Sequence, residues 1–281
     1  MATLPAALQG RDLRAMAQTG SGKTAAFVLP LLQRWHDTPR HRSRRALFGL
    51  VLVPTRELAT QVAESFAQLA VHLPERPKVM RAIGGVSINP QLMTLRGGAD
   101  IVVGTPGRVL DLAQHNALRL AECAVLVLDE ADRLLDLGFA DELQQILDQL
   151  PAQRQSLLFS ATFAPRTVQL ADALLHEPVH IEAEPVVVAV PQITQRAIEV
   201  DAGRRTPLLR HLIAQEGWAQ VLVFVATKHA CEMVADKLRR AGLAAEPLHG
   251  LLGQGKRTQV LADFKAGRLQ VLVATDLAAR G

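Results

Sequence analysis

The nine residues Val125-Leu-Val-Leu-Asp-Glu-Ala-Asp-Arg133 decide the fold. Val125 to Leu128 form an unbroken aliphatic run, the pattern of a strand buried on both faces, as in a parallel sheet covered by helices. The run delivers Asp129, Glu130 and Asp132 together at its carboxyl end. Three neighbouring carboxylates repel one another, so their position requires a cationic partner.

Runs of the same kind recur at 46–53, 78–84, 100–105, 156–162, 178–182, 220–227, 244–250 and 269–276, with 124–129 among them. Amphipathic helical patterns lie between most of these runs, as in 24–37, 56–73 and 228–242. Alternating strands and helices of this composition describe parallel sheets flanked by helices, an α/β fold. Residues 183–192 (AEPVVVAVPQ) hold two prolines and read as an extended connection. The expected organisation is a domain over 1–184, a linker over 185–192 and a second domain over 193–281. The VVVAV within the linker is also compatible with an edge strand.

The 281 residues are long for one domain, and their hydrophobic content of 49% suits a sizeable core. No apolar run approaches a membrane span, and the first residues lack the basic start and apolar core of a signal peptide. Cys123 and Cys231 are far apart in apolar surroundings, which favours buried reduced thiols over a metal or redox site. These features together favour a cytoplasmic protein. The net charge of +4 permits a polyanionic partner without requiring one.

The cationic partner of the carboxylates is in Ala17-Gln-Thr-Gly-Ser-Gly-Lys-Thr24, which leads into a helical pattern. The spacing fits a phosphate-binding loop formed by Ala17, Gln18, Thr19, Gly20, Ser21, Gly22, Lys23 and Thr24. Gly20 and Gly22 let backbone amides turn inward, and the helix N-terminus adds its positive end. Lys23 suits the β- and γ-phosphates of a nucleotide, and the Thr24 hydroxyl suits Mg²⁺. Ala17 in place of the first glycine of the pattern implies a negative φ there. On this reading Asp129 holds the same Mg²⁺, through water, and Glu130 orients or deprotonates an attacking water. Asp132 is better suited to pairing with a neighbouring group. The competing readings are a glycine-rich turn capping an ordinary helix and an acidic, solvated helix start. A loop and an acidic strand end occurring together favour the nucleotide.

With these residues in place the chain resembles the DEAD-box ATP-dependent RNA helicases. Asp129 to Asp132 spell DEAD, and further motifs occur in the family's order. They are AQTGSGKT, PTRELA (54–59), Gly84-Gly85, TPGR (105–108), SAT (160–162), VFVATK (223–228), HGLLGQGKR (249–257) and TDLAARG (275–281). The second half is most similar to the bacterial RhlE-type branch. The resemblance implies two RecA-like domains, the second incomplete, that close over ATP and single-stranded RNA. It implies that Lys23, Asp129 and Glu130 are catalytic. Pro54, Thr55, Arg56, Gly85, Thr105 and Arg108 are implied to face the RNA backbone in the first domain, and Thr227, Gly250 and Thr275 in the second. Asp132, Ser160, Thr162 and Arg280 are implied to couple the nucleotide to RNA. Backbone contacts of this kind carry little sequence preference and weaken with salt. The chain has no tyrosine and 4% aromatic residues, which disfavours base-stacking platforms and suits recognition through the 2′-hydroxyl.

Several features read as structural. The basic run 39–46 suits a solvated loop, His249 suits packing beside Gly250, and Trp35 and Trp218 suit the core. Relative to the family, both ends look cut. The upstream glutamine segment that reads adenine is missing, with Gln9 wrongly placed to replace it, and the arginine-finger motif lies beyond Gly281. The expectation is a chain that hydrolyses ATP poorly and does not unwind RNA by itself, with a less stable half after about residue 192. The rival functions are a nucleotide-gated RNA clamp or chaperone without unwinding, and a P-loop ATPase acting on DNA or protein.

Overall fold

The computed structural model describes residues 3–17, 22–39, 45–182 and 193–275. The expected linker, 185–192, lies outside them, as do Gln18, Thr19, Gly20, Ser21 and Arg280. The chain divides into two compact units, Met1–Val188 and Ala189–Gly281.

In the first unit the order is α1 (Thr3–Leu8), β1 (Leu13–Met16), α2 (Lys23–Asp37), β2 (Gly49–Leu52), α3 (Arg56–Ala70), β3 (Val79–Ala82) and α4 (Asn89–Leu95). There follow β4 (Ile101–Gly104), α5 (Pro106–Gln114), β5 (Val125–Leu128), α6 (Ala131–Asp136), α7 (Ala140–Leu147), β6 (Gln155–Ser160), α8 (Pro165–Leu174) and β7 (Val179–Glu182). All seven strands pair in parallel in the spatial order β3-β4-β2-β5-β6-β1-β7. Strand residues alternate between two cores. Val125 and Val127 pack with Phe27, Trp35, Val62 and Phe66 from α2 and α3 on one face. Leu126 and Leu128 pack with Leu110, Leu134, Leu143 and Ala171 from α5 to α8 on the other. Two covered faces explain why β2, β4 and β5 are apolar at nearly every position.

The expected strands of the first half are all present, but β1 was not among them. Arg14 interrupts its apolar pattern, and four residues leave no run long enough to show period. Register supplies what pattern did not: Leu13 and Ala15 pair with Leu157 and Phe159 of β6, and Ala17 N–H donates to the Ser160 carbonyl at 3.0 Å. The buried carboxylate of Asp12 anchors the strand's start, accepting from the amides of Ser156 and His176 at 2.7 Å each.

The second unit contains α9 (Arg205–Glu216), β8 (Val221–Val225), α10 (Lys228–Arg240), β9 (Ala245–Leu248), α11 (Gln254–Lys265) and β10 (Val271–Thr275). Its three described strands pair in parallel in the order β8-β10-β9. Pro247 is tolerated in β9 because that strand has one neighbour among the described residues. Val221, Val271 and Val273 bury against Cys231, Ala235 and Leu238 of α10. Leu222 and Phe224 on β8 are 47% and 51% exposed. Among the described residues, no helix is long and apolar enough to cross a membrane.

Burial on both faces protects strand amides far more than burial on one. We therefore expect the amides of β2 and β5 to exchange more slowly than those of β8 in native-state hydrogen exchange. Equal or faster exchange in β2 and β5 would contradict this packing account.

Candidate functional site

Every strand end in the first unit that bears one of the quoted motifs lies on the carboxyl edge of one sheet. Along that edge, in spatial order, the groups are Gly84 and Gly85 after β3, Thr105 to Arg108 after β4, and Pro54 to Arg56 after β2. Next come Asp129 to Asp132 after β5, Ser160 to Thr162 at the end of β6, and Ala17 with Gly22 to Thr24 after β1. In open parallel sheets this is the edge where ligands bind.

At the β1–β5 end, Gly22 has φ of +82°, a conformation that favours glycine, and starts α2 without a side-chain cap. The first turn of α2 therefore presents Lys23 and Thr24 with uncapped backbone amides. Lys23 is 8% exposed, and its Nζ is 3.8 Å from Asp129 Oδ1. That ammonium is buried and makes no hydrogen bond among the described residues. Asp129 is 2% exposed. Burial pushes its carboxyl up to about 6, with Lys23 opposing the rise and Glu130 and Asp132 adding to it. A buried ammonium with unused donors beside a carboxylate short of positive charge fits a divalent cation bound with phosphate oxygens.

Glu130 adopts φ 54° and ψ 52°, left-handed backbone that costs about 1 kcal/mol for a residue with a side chain. Its amide donates to Asp129 Oδ1 at 3.0 Å, and its Oε2 accepts from Arg133 Nη1 at 2.8 Å. Arg133 was inside the opening stretch and was passed over. The signal for it was the spacing of Glu130 and Arg133, three residues apart on a helix start.

Asp132 turns away from Asp129. Its Oδ2 accepts from the Thr162 amide at 3.0 Å and the Thr162 hydroxyl at 2.9 Å, while its own amide donates to Ser160 Oγ at 3.3 Å. Ser160 Oγ in turn donates to the Thr162 carbonyl at 2.6 Å. The structure thus joins Asp132, Ser160 and Thr162 in one network.

At the β2–β4–β3 end, the Thr55 hydroxyl caps α3, accepting from the Leu58 amide at 3.2 Å. Thr227 caps α10 of the second unit in the same way, accepting from the Ala230 amide at 3.1 Å with nearly the same φ and ψ. Gly85 has φ of +71°, and a Cβ there would lie 1.8 Å from Arg56 Nη1. Only glycine lets the Arg56 guanidinium lie against this turn. Arg108 Nη2 donates to the Val86 carbonyl at 2.9 Å, tying the turn to α5, and its Nε is 3.4 Å from Asp111. Sequence reading missed Gln91, whose side chain pairs with both backbone groups of Ile83 at 3.2 and 3.0 Å. Thr105 is buried at the N-cap of α5, and Pro54 is buried. Thr275 closes β10 and is 7% exposed. Gly250 follows β9 and His249, whose buried Nε2 lies 2.7 Å from Glu232 Oε1.

The residues read as structural are in keeping with that role. Trp35 is 1% exposed, and Trp218 packs against the core of the second unit. Cys123 and Cys231 are free and buried; burial pushes the Cys123 thiol up to about 12.

The fold and this edge define an open parallel α/β sheet with its candidate ligand groups gathered at the carboxyl ends of the strands. The sequence model described as DEAD/DEAH box helicase matches residues 1–171, and that described as helicase conserved C-terminal domain matches residues 204–281. The chain belongs to the DEAD/DEAH box helicase family. It is 42% identical over 279 residues to the DEAD-box ATP-dependent RNA helicase CshA of Bacillus cereus (strain ATCC 10987 / NRS 248), covering 99% of this chain and 52% of the relative. It is 41% identical over 280 residues to the ATP-dependent RNA helicase DeaD of Mycobacterium tuberculosis (strain ATCC 25618 / H37Rv), covering 100% of this chain and 48% of the relative. The chain thus spans about half the length of these relatives. The crystal structure of a DEAD box protein from the hyperthermophile Methanococcus jannaschii is similar with a TM-score of 0.59 and 35% identity, covering 100% of this chain and 74% of that one.

Asp129 supplies a pH test. Its folded-state value of about 6 lies above its ordinary 3.8, so ionising it costs stability. The cost is absent below pH ~4 and complete above pH ~6. Replacing Asp129 with Asn removes this term. The stability of D129N relative to the parent should therefore rise by up to ~3 kcal/mol between pH 4 and pH 7 in urea unfolding without nucleotide. Parallel pH profiles would refute it.

Proposed function

We propose that this chain is the nucleotide- and RNA-binding part of an ATP-dependent RNA helicase, coupling ATP binding and hydrolysis to RNA strand binding and local duplex unwinding. The observation that carries the reading is the 3.8 Å approach of the Lys23 ammonium to the Asp129 carboxylate between a phosphate-loop sequence and a buried strand end. Ala17 to Thr24 bind the triphosphate, with Lys23 directed at its β- and γ-phosphates. Thr24 and Asp129 would hold Mg²⁺, which neutralises phosphate charge when bound. Glu130, oriented by Arg133, takes a proton from the attacking water. Asp132, Ser160 and Thr162 communicate the state of the nucleotide edge, with Arg280 as a further coupling residue.

Pro54, Thr55, Arg56, Gly85, Thr105 and Arg108 bind the RNA backbone, as do Thr227, Gly250 and Thr275. The Thr55 and Thr227 hydroxyls accept from helix amides, which leaves their O–H free to donate to phosphate oxygens. The two capped threonines favour backbone recognition over base reading. The domain division at 185–192 and a cytoplasmic location belong to the same proposal.

Glu130→Gln is expected to lower ATP turnover by roughly 10²–10⁴-fold while nucleotide binding persists. An E130Q chain with parental turnover would remove Glu130 from the chemistry. RNA, and not DNA of the same sequence, is expected to stimulate turnover. In filter binding, the logarithm of RNA affinity should fall linearly with the logarithm of salt concentration, and Arg108→Ala should lower that slope by ~1. Equal stimulation by DNA would favour the rival ATPase reading.

A further inference from the structure

Arg14 is an anomaly in this fold. It lies in the middle of β1, paired in register with Leu158 of β6 and His180 of β7, and the other strands of this sheet with a neighbour on both sides hold no charged residue. Its side chain is 21% exposed. Its guanidinium carbon lies 4.4 Å above the centroid of the Phe163 ring, and Nη1 is 3.9 Å from Asp172 on α8. Phe163 directly follows Thr162 and is partly buried against the core beneath α5 to α8. At the other end of the same four-residue segment, the Ser160 carbonyl accepts from the amide of Ala17. The strand that feeds the phosphate loop therefore grips residues 160–163 at both ends. One grip is a backbone hydrogen bond at Ser160, and the other is a cation–π stack at Phe163. Between them lie the hydroxyl and amide of Thr162 that hold Asp132.

We propose that Arg14 is a positioning residue: its stack on Phe163 fastens the segment 160–163 to the phosphate-loop strand, so that nucleotide bound at Lys23 stiffens the Asp132–Thr162 network. The inference rests on the nucleotide reading above and extends it to residues outside the phosphate loop and the DEAD segment. A side chain that served solubility alone would have no reason to stack on the ring next to Thr162. The stack is directional, because a planar guanidinium lies flat on an aromatic face whereas an ammonium approaches it as a point charge.

The test is hydrogen exchange of the amides of residues 160–163 in the whole chain, with and without Mg²⁺ and a non-hydrolysable ATP analogue. Nucleotide affinity is measured alongside. The parent is expected to gain protection at these amides when the analogue binds. In R14L, and independently in F163L, that gain should fall by roughly fivefold. Affinity for the analogue should stay within about twofold, because the side-chain partners of Arg14 are Phe163 and Asp172, and neither Lys23 nor Asp129 is among them. R14K, which keeps the charge, should retain part of the gain. If R14L fails to fold, F163L alone decides. A full gain in R14L or F163L, or no gain in the parent on binding the analogue, overturns the proposal and leaves the nucleotide reading standing. A parent that binds no analogue overturns the nucleotide reading itself, and this inference falls with it.

Discussion

The structure depends on a buried electrostatic pair that is incomplete as a pair. Lys23 and Asp129 sit 3.8 Å apart where water barely reaches, yet the ammonium makes no hydrogen bond among the described residues and burial pushes the carboxyl up to about 6. A buried pair gains back its desolvation cost only when the remaining donors and lone pairs are satisfied. Here they are not satisfied by the protein's own described residues. The arrangement suits a site whose stability is completed by a ligand: negative phosphate oxygens for Lys23 and a divalent cation for Asp129. Strain points the same way. Glu130, next in sequence, is held in left-handed backbone while its carboxylate is fixed by Arg133.

A second principle is the sorting of motifs by topology. In the chain, the phosphate loop comes first and the Ser160–Thr162 segment last, with the candidate RNA contacts before the DEAD segment. In space, crossover connections place β1, β6 and β5 together at one end of the sheet and β2, β4 and β3 at the other. The groups proposed to face nucleotide thus share one end of the edge, and those proposed to face RNA share the other. The two ends meet between β2 and β5, where the Asp129 amide donates to the Leu52 carbonyl, two residues before Pro54. The central strands β4, β2, β5 and β6, buried at every position, hold these ends in register. Coupling between the ends therefore has a short covalent and hydrogen-bonded path.

Much of this was legible in the sequence. Val125 to Leu128 announced a strand covered on both sides, and the ordered short motifs announced the family. What was not legible has physical reasons. β1 is four residues long and contains Arg14, so neither run length nor periodicity marks it; its place is determined by pairing with β6 and by Asp12. Arg133 lies one residue beyond DEAD, and its tie to Glu130 follows only once α6 is known to begin there. The glycine at 85 could be read as a motif letter, but its reason, the guanidinium of Arg56 lying where a Cβ would be, is a contact across 29 residues of chain. Gln91 likewise acts on Ile83 through tertiary placement. Local patterns reveal elements and strand ends; contacts made between elements appear only when the chain is folded.

The most direct measurement is a double-mutant cycle on Mg²⁺–nucleotide affinity by calorimetry, using Lys23→Ala, Asp129→Asn and the double variant. If both side chains grip one metal–triphosphate unit, the losses are strongly non-additive, with a coupling of at least ~1 kcal/mol. Independent, additive losses would mean that the lysine and the aspartate do not share a ligand, and the account would fail at its centre.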